Sequence, residues 1–234
     1  MRRNIGRVQS QLKIYAPSAS KSLAILLVFV SVASLPAQSA NANDQHDSWI
    51  HNITYDLGAG GTLALGSTSR DLNAGFNFVT GLGYRVNPGL ILPLDLLVSG
   101  HGLPASILQQ EHQPNGTTSL FIIAFDPSYT FSQQNHWGGY LTGGGGISIK
   151  QVVFTHPSPV DSYSYGYNAE AASESSVQPA VDFGAGVTYR IHPDSNFQLF
   201  QEARYLDMFT PKGQFPGFNQ AGTNLFLLTF GLRL

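Results

Sequence analysis

Asn224-Leu225-Phe226-Leu227-Leu228-Thr229-Phe230-Gly231-Leu232-Arg233-Leu234 has two unlike sides. Phe226, Leu228, Phe230, Leu232 and Leu234 form one apolar row, and Thr229, Gly231 and Arg233 lie opposite at period two, as successive side chains of an extended strand do. The stretch predicts a terminal β-strand that separates two environments and completes a sheet.

Upstream, residues 177 to 191 repeat the pattern. Val181, Phe183, Ala185, Val187, Tyr189 and Ile191 share one face, against Asp182, Gly184, Gly186, Thr188 and Arg190 on the other. Turn residues mark the remaining strands at about residues 49–66, 71–86, 90–100, 120–131, 137–154 and 197–209, which predicts eight in all. Tight reversals are expected at Asn87-Pro88-Gly89, at 132–136 and at His192-Pro193-Asp194-Ser195. Longer connections, a polar loop with Pro104 and Pro114 and another over 155–176, fall on the opposite side. The expected fold is all-β, an eight-stranded antiparallel up-and-down transmembrane β-barrel, with long and short connections alternating.

Composition points the same way. Charged residues make up 11% of the chain, against roughly 25% in a soluble domain, so much of the surface faces something other than water. The chain has no cysteine, which excludes disulfides, thiolate metal sites and thiol nucleophiles. Arg2, Arg3, Arg7, Lys13 and Lys21 precede an apolar run from Leu23 to Leu35 and then Ala40-Asn41-Ala42. That is the layout of an export signal, and the run is shorter than the about 20 residues a spanning helix needs. The expected organisation is a signal peptide over 1–42, cleaved near Ala42, and a barrel over 43–234. The signal holds five of the twelve basic residues and none of the fourteen acidic ones, so seven basic residues face fourteen acidic ones in the remainder, a net charge of −7. Nucleic acid is not an expected partner.

Period two alone does not say which face points outward, because a secreted lipocalin-like barrel alternates in the same way. The aromatics favour the membrane. Trp49, Tyr84, Phe131, Trp137, Tyr189 and Phe197 lie near the short-turn ends, each on its strand's apolar row, as in an interfacial girdle.

The export segment, the eight alternating strands and the terminal Thr229-Phe230-Gly231-Leu232-Arg233-Leu234 resemble the outer-membrane β-barrel superfamily of the OmpA and OmpX type, over about residues 45 to 234. The resemblance implies a monomer in the outer membrane of a two-membrane, Gram-negative bacterium. It further implies contact with outer-membrane lipids and lipopolysaccharide, and a C-terminal strand read by the barrel assembly machinery. Members commonly end in an aromatic residue, whereas this sequence ends in Leu234. No peptidoglycan-binding domain is expected after the barrel.

On the face opposite the apolar rows, parity places Asp56, Asp95, Asp126, Asp182 and Glu202 with Arg85, Lys150, Arg190, Arg204 and Arg233. An eight-stranded barrel is only wide enough for side chains to fill, so these charges are expected to interlock as a plugged polar lumen. A second reading is a porin-like channel for ions or small solutes, gated by rearranging ion pairs. A third is a lipid A acyl hydrolase, which needs a serine activated by histidine and a carboxylate. The stretch 202–207, which comes nearest to such an arrangement, carries neither serine nor histidine. The expectation is therefore a non-enzymatic barrel serving envelope structure or surface binding.

Gly143-Gly144-Gly145-Gly146 lacks the spacing of a phosphate-binding loop and is read as room for bulky neighbours. No histidine pair has zinc-site spacing, and His101 and His112 are read as solvated loop residues. Neither metal nor cofactor is expected. Tyr163, Tyr165 and Tyr167 alternate with small residues and are the candidates for loop binding.

Overall fold

The computed structural model describes residues 52–134, 136–157, 168–192, 197–209 and 222–234. The proposed signal peptide, Trp49 and the three loop tyrosines lie outside them. The barrel unit is His46–Leu234.

The strands are β1 (Ile53–Ala64), β2 (Gly75–Asn87), β3 (Leu90–Gly102), β4 (Asn115–Phe125), β5 (Ser128–Gln134), β6 (Trp137–Pro157), β7 (Asn168–Arg190), β8 (Gln198–Met208) and β9 (Thr223–Arg233). Each pairs antiparallel with its neighbours, and β9 pairs with both β8 and β1. Closure is sealed by the reciprocal bonds from the Tyr55 amide to the Leu234 carbonyl at 3.1 Å and from the Leu234 amide to the Tyr55 carbonyl at 2.9 Å. β4 and β5 are two parts of one wall strand, both paired with β3 and β6, so the closed sheet has eight walls. Closure removes the open edges that a flat sheet would leave.

The outer face is apolar. Phe76, Leu94, Ile123, Phe125, Phe131, Trp137, Phe183 and Phe230 are each at least half exposed. So continuous an apolar surface exceeds what soluble monomers show and suits a lipid environment. On β9 the row Phe226, Leu228, Phe230, Leu232 and Leu234 points outward, and Arg233 is buried inside. Over the stretch where alternation was expected, β7 keeps its parity, with Asp182 and Thr188 buried and Val181, Phe183 and Val187 exposed.

Three expected elements differ. The strand expected to run unbroken over 120–131 is interrupted at Asp126-Pro127. Proline has no amide to donate, so Pro127 ends one ladder, and the next amide bond across the gap, from Gly143 to the Pro127 carbonyl, is long at 3.3 Å. The polar loop after β3 contains a short helix, α1 (Ala105–Gln110). Its Ile107 and Leu108 pack against the interior cluster, so this connection acts as a cap. The loop expected over 155–176 is shorter, because β6 and β7 continue pairing from Trp137↔Tyr189 out to Pro157↔Asn168. Small and polar residues carry that extension, and their weak period-two signal hid it.

Candidate functional site

The interior has two contrasting halves. Toward the short turns sits a charged knot around Arg204 of β8. Its Nε donates to Glu202 Oε1 at 2.7 Å, Nη1 to Asp126 Oδ2 at 2.7 Å and Nη2 to Asp95 Oδ2 at 3.1 Å, with Asp182 Oδ1 at 3.8 Å from Nη1. Tyr140 of β6 donates to Glu202 Oε2 at 3.0 Å, and the Arg233 guanidinium lies 4.9 Å from the Tyr140 ring centroid. Arg233 grips Asp56 of β1 with Nε at 2.8 Å and Nη2 at 2.7 Å. This is the bidentate fork that arginine makes with a carboxylate.

Local sequence explains how these bulky groups fit. Inward glycines lie opposite the large polar residues. A Cβ on Gly81 would collide with Asp95 Oδ1, one on Gly144 would stand 2.6 Å from Asp126 Oδ1, and one on Gly186 would collide with the Tyr140 ring. The glycine run at 143–146 thus has a packing role: it lets β4 and the Asp126 carboxylate approach β6.

Toward the long loops an apolar cluster shares the interior with buried polar residues such as Asn77, Ser99, His101 and Thr118. Leu97, Leu120, Ile122, Val152, Leu206, Met208 and Leu225 form one buried cluster. The expected polar lumen is therefore corrected to an amphipathic one. Six residues of the predicted charge set pack tightly: Asp56, Asp95, Asp126, Glu202, Arg204 and Arg233. Asp182 is buried beside them without a hydrogen bond to Arg204. The expectation that all ten charges interlock does not hold. Arg85 and Lys150 make no ion pair among the described residues, and Lys150 Nζ donates to Thr223 Oγ1 at 3.3 Å. Arg190 is half-buried near the short turns. Parity gave the face of each residue correctly but carries no information about its depth.

Of the girdle, Tyr84, Phe131 and Trp137 are exposed on the outer face, while Tyr189 and Phe197 are half-buried. The rings of Trp137 and Tyr189, cross-strand partners, lie 4.9 Å apart. Asp207 is on the outward face of β8, whose register with β9 runs unbroken from Gln198 to Met208.

His101 is not a solvated loop residue. It is buried on the inner face of β3, with Nε2 2.9 Å from Ser99 Oγ and Nδ1 2.9 Å from the Asn73 carbonyl. A carbonyl only accepts, so Nδ1 carries the proton and Nε2 faces the serine hydroxyl. Such a pair resembles a nucleophile and base. However, Ser99 has no exposed surface, its Oγ also lies 2.9 Å from the Phe76 carbonyl, and a backbone carbonyl stands where an orienting carboxylate would be. The pair latches the β1–β2 connection to β3. Tyr140 and Ser99–His101 were missed because a tyrosine at an inward position and a Ser-x-His both look unremarkable in one sequence.

No protein-family model matches the chain, and no curated protein matches it. Solved structures do. The chain is similar to Neisserial surface protein A (NspA), at 18% identity over 78% of this chain and 96% of that one, with a TM-score of 0.50. A major outer-membrane protein of Thermus thermophilus aligns at 14% identity over 77% of this chain and 98% of that one, with a TM-score of 0.46. The outer-membrane protein AlkL aligns at 16% identity over 85% and 93%, with a TM-score of 0.43. The likeness to NspA bears on the fold alone, and it agrees with the closed sheet and its apolar exterior. The chain has the fold of the eight-stranded outer-membrane β-barrels, with apolar side chains exposed on its outer walls.

Proposed function

We propose that this protein is a non-enzymatic integral outer-membrane barrel that serves envelope structure or surface binding through its long-loop end. The filled lumen carries the reading. Among the described residues, the cavity beside the Arg204 knot has a volume of about 10 Å³, room for about one water molecule. The apolar cluster above it adds a second seal.

On this reading residues 1–42 direct export and are removed, the short turns and both barrel termini face the periplasm, and the long loops face outward. The outer wall contacts outer-membrane lipids and lipopolysaccharide, β9 is the strand that the assembly machinery reads, and the barrel is a monomer. Surface binding falls to the outer connections, with Tyr163, Tyr165 and Tyr167 as contact residues. Against acyl hydrolysis stands the inaccessibility of Ser99.

The test is conductance in planar bilayers, combined with analysis of lipid A acyl chains after overexpression. Silent bilayers and unaltered lipid A are expected. Steady ion conductance would establish the channel instead, and shortened lipid A would establish the enzyme.

A further inference from the structure

The wall strand that breaks at Asp126-Pro127 resumes at Ser128, the first residue of β5. Ser128 is 2% exposed and pairs across the wall with Ile91 of β3 and Thr142 of β6. Its Oγ is fully buried and makes no hydrogen bond among the described residues. A buried hydroxyl without a partner is costly, and native interiors satisfy such groups through protein or ordered water.

Ser128 lines the cavity beside the Arg204 knot, whose volume of about 10 Å³ admits about one guest the size of water. Cavities that stay dry are apolar, and this one is not. Asp95 and Glu202 border it, and so do Thr142, Arg204 and Arg233, all of them buried.

Those walls select the guest. A cation would lie against two guanidinium groups, and an anion against carboxylates that are already engaged by arginine. No group of the described residues is arranged to hold a metal ion. A neutral molecule that both donates and accepts suits walls of both signs, and at this size that molecule is water. The carboxylates accept from it and the guanidinium groups donate to it. Thr142 Oγ1 spends its own proton on the Asp126 carbonyl at 3.1 Å and so meets a guest as an acceptor, while the Ser128 hydroxyl serves either way.

The break gives that water a task. On its near side Asp126 is tied directly to Arg204 at 2.7 Å. On its far side β5 adds no side chain to the ion pairs among the described residues. We propose that one water molecule is a fixed part of the charged half, bound by Ser128 and bridging β5 to the Arg204 knot across the break at Pro127.

The experiment is a crystal structure of the full barrel in detergent, at a resolution that orders interior water, for the wild type and Ser128→Ala. Oxygen-17 relaxation dispersion on the same two proteins counts the waters held inside. The wild type is expected to show one water within hydrogen-bond distance of Ser128 Oγ, and the variant to lack it and to hold one long-lived water fewer. A wild-type cavity without ordered water overturns the proposal, and this result stands even if Ser128→Ala fails to fold. The same water retained in Ser128→Ala removes Ser128 as its anchor and also overturns it. Density ringed by oxygens at about 2.3–2.6 Å, the spacing of a calcium-sized cation, assigns the site to an ion and refutes the water.

Discussion

The two halves of the lumen fill the same barrel by opposite means. Near the short turns, Arg204 and Arg233 join β1, β3, the β4–β5 junction and β8 through directed hydrogen bonds. Near the long loops, Leu120, Ile122, Leu206, Met208 and Leu225 fill space without direction. A charged core fixes which strands meet, because each acid must find its donor, but it gains little net stability over an apolar one. An apolar core stabilises by packing and tolerates modest volume changes. The barrel thus combines a specific end with an adaptable end, and the adaptable end adjoins the connections that face outward in the proposed orientation.

The contrast can be broken most severely at Arg204. Arg204→Met leaves four buried carboxylates without their shared partner and is expected to cost about 3–5 kcal/mol. Reversible denaturant unfolding in lipid vesicles would measure it. A loss under about 1 kcal/mol, the scale of an exposed ion pair, would mean that water reaches the knot and the half is not sealed.

In the apolar half, Leu120→Ala removes a fully buried side chain and is expected to cost about 2–4 kcal/mol through transfer and cavity terms. The same assay on the Arg204→Met, Leu120→Ala double variant sharpens the comparison. Additive losses mean that the halves are independent, and a shortfall means that they are coupled.

Gly81→Ala tests the steric fit of the knot. The new methyl would meet Asp95, whose Oδ1 occupies the space that a Cβ needs, and an overpacking cost of about 1–3 kcal/mol is expected. Tyr140→Phe is the mildest change. It removes the 3.0 Å hydrogen bond to Glu202 Oε2 while keeping the ring beside Arg233, for an expected loss of about 1–2 kcal/mol by the same unfolding measurement.

Some of this was legible in the sequence and some was not, for identifiable reasons. β7 could be read directly because its faces differ in polarity, Val181 and Phe183 against Asp182 and Gly184. β4 could not. Its inward Leu120, Ile122 and Ala124 and its outward Phe121, Ile123 and Phe125 are both apolar, so period two carries no sidedness there. For the same reason the apolar half of the lumen was invisible, although Leu225 of the opening stretch belongs to it. The knot was read in its membership but not in its wiring. Asp95, Asp126, Glu202 and Arg204 sit on an inward parity, but stagger between tilted strands decides which meet. Lys150, of equal parity, ends beside Thr223 instead. The interruption at Pro127 had a signal, since proline in a central strand marks a break, and Asp126 is positioned by that break.

The most direct test of the account is gel migration of the outer-membrane fraction with and without boiling, comparing the full chain with one truncated before Asn224. Fast migration that boiling abolishes, and that truncation removes, is predicted, because β9 pairs with both β8 and β1 and closes the barrel. Recovery of the full chain as a soluble periplasmic protein with unchanged migration would contradict it, since Phe183, Trp137 and Phe230 would then have to face water.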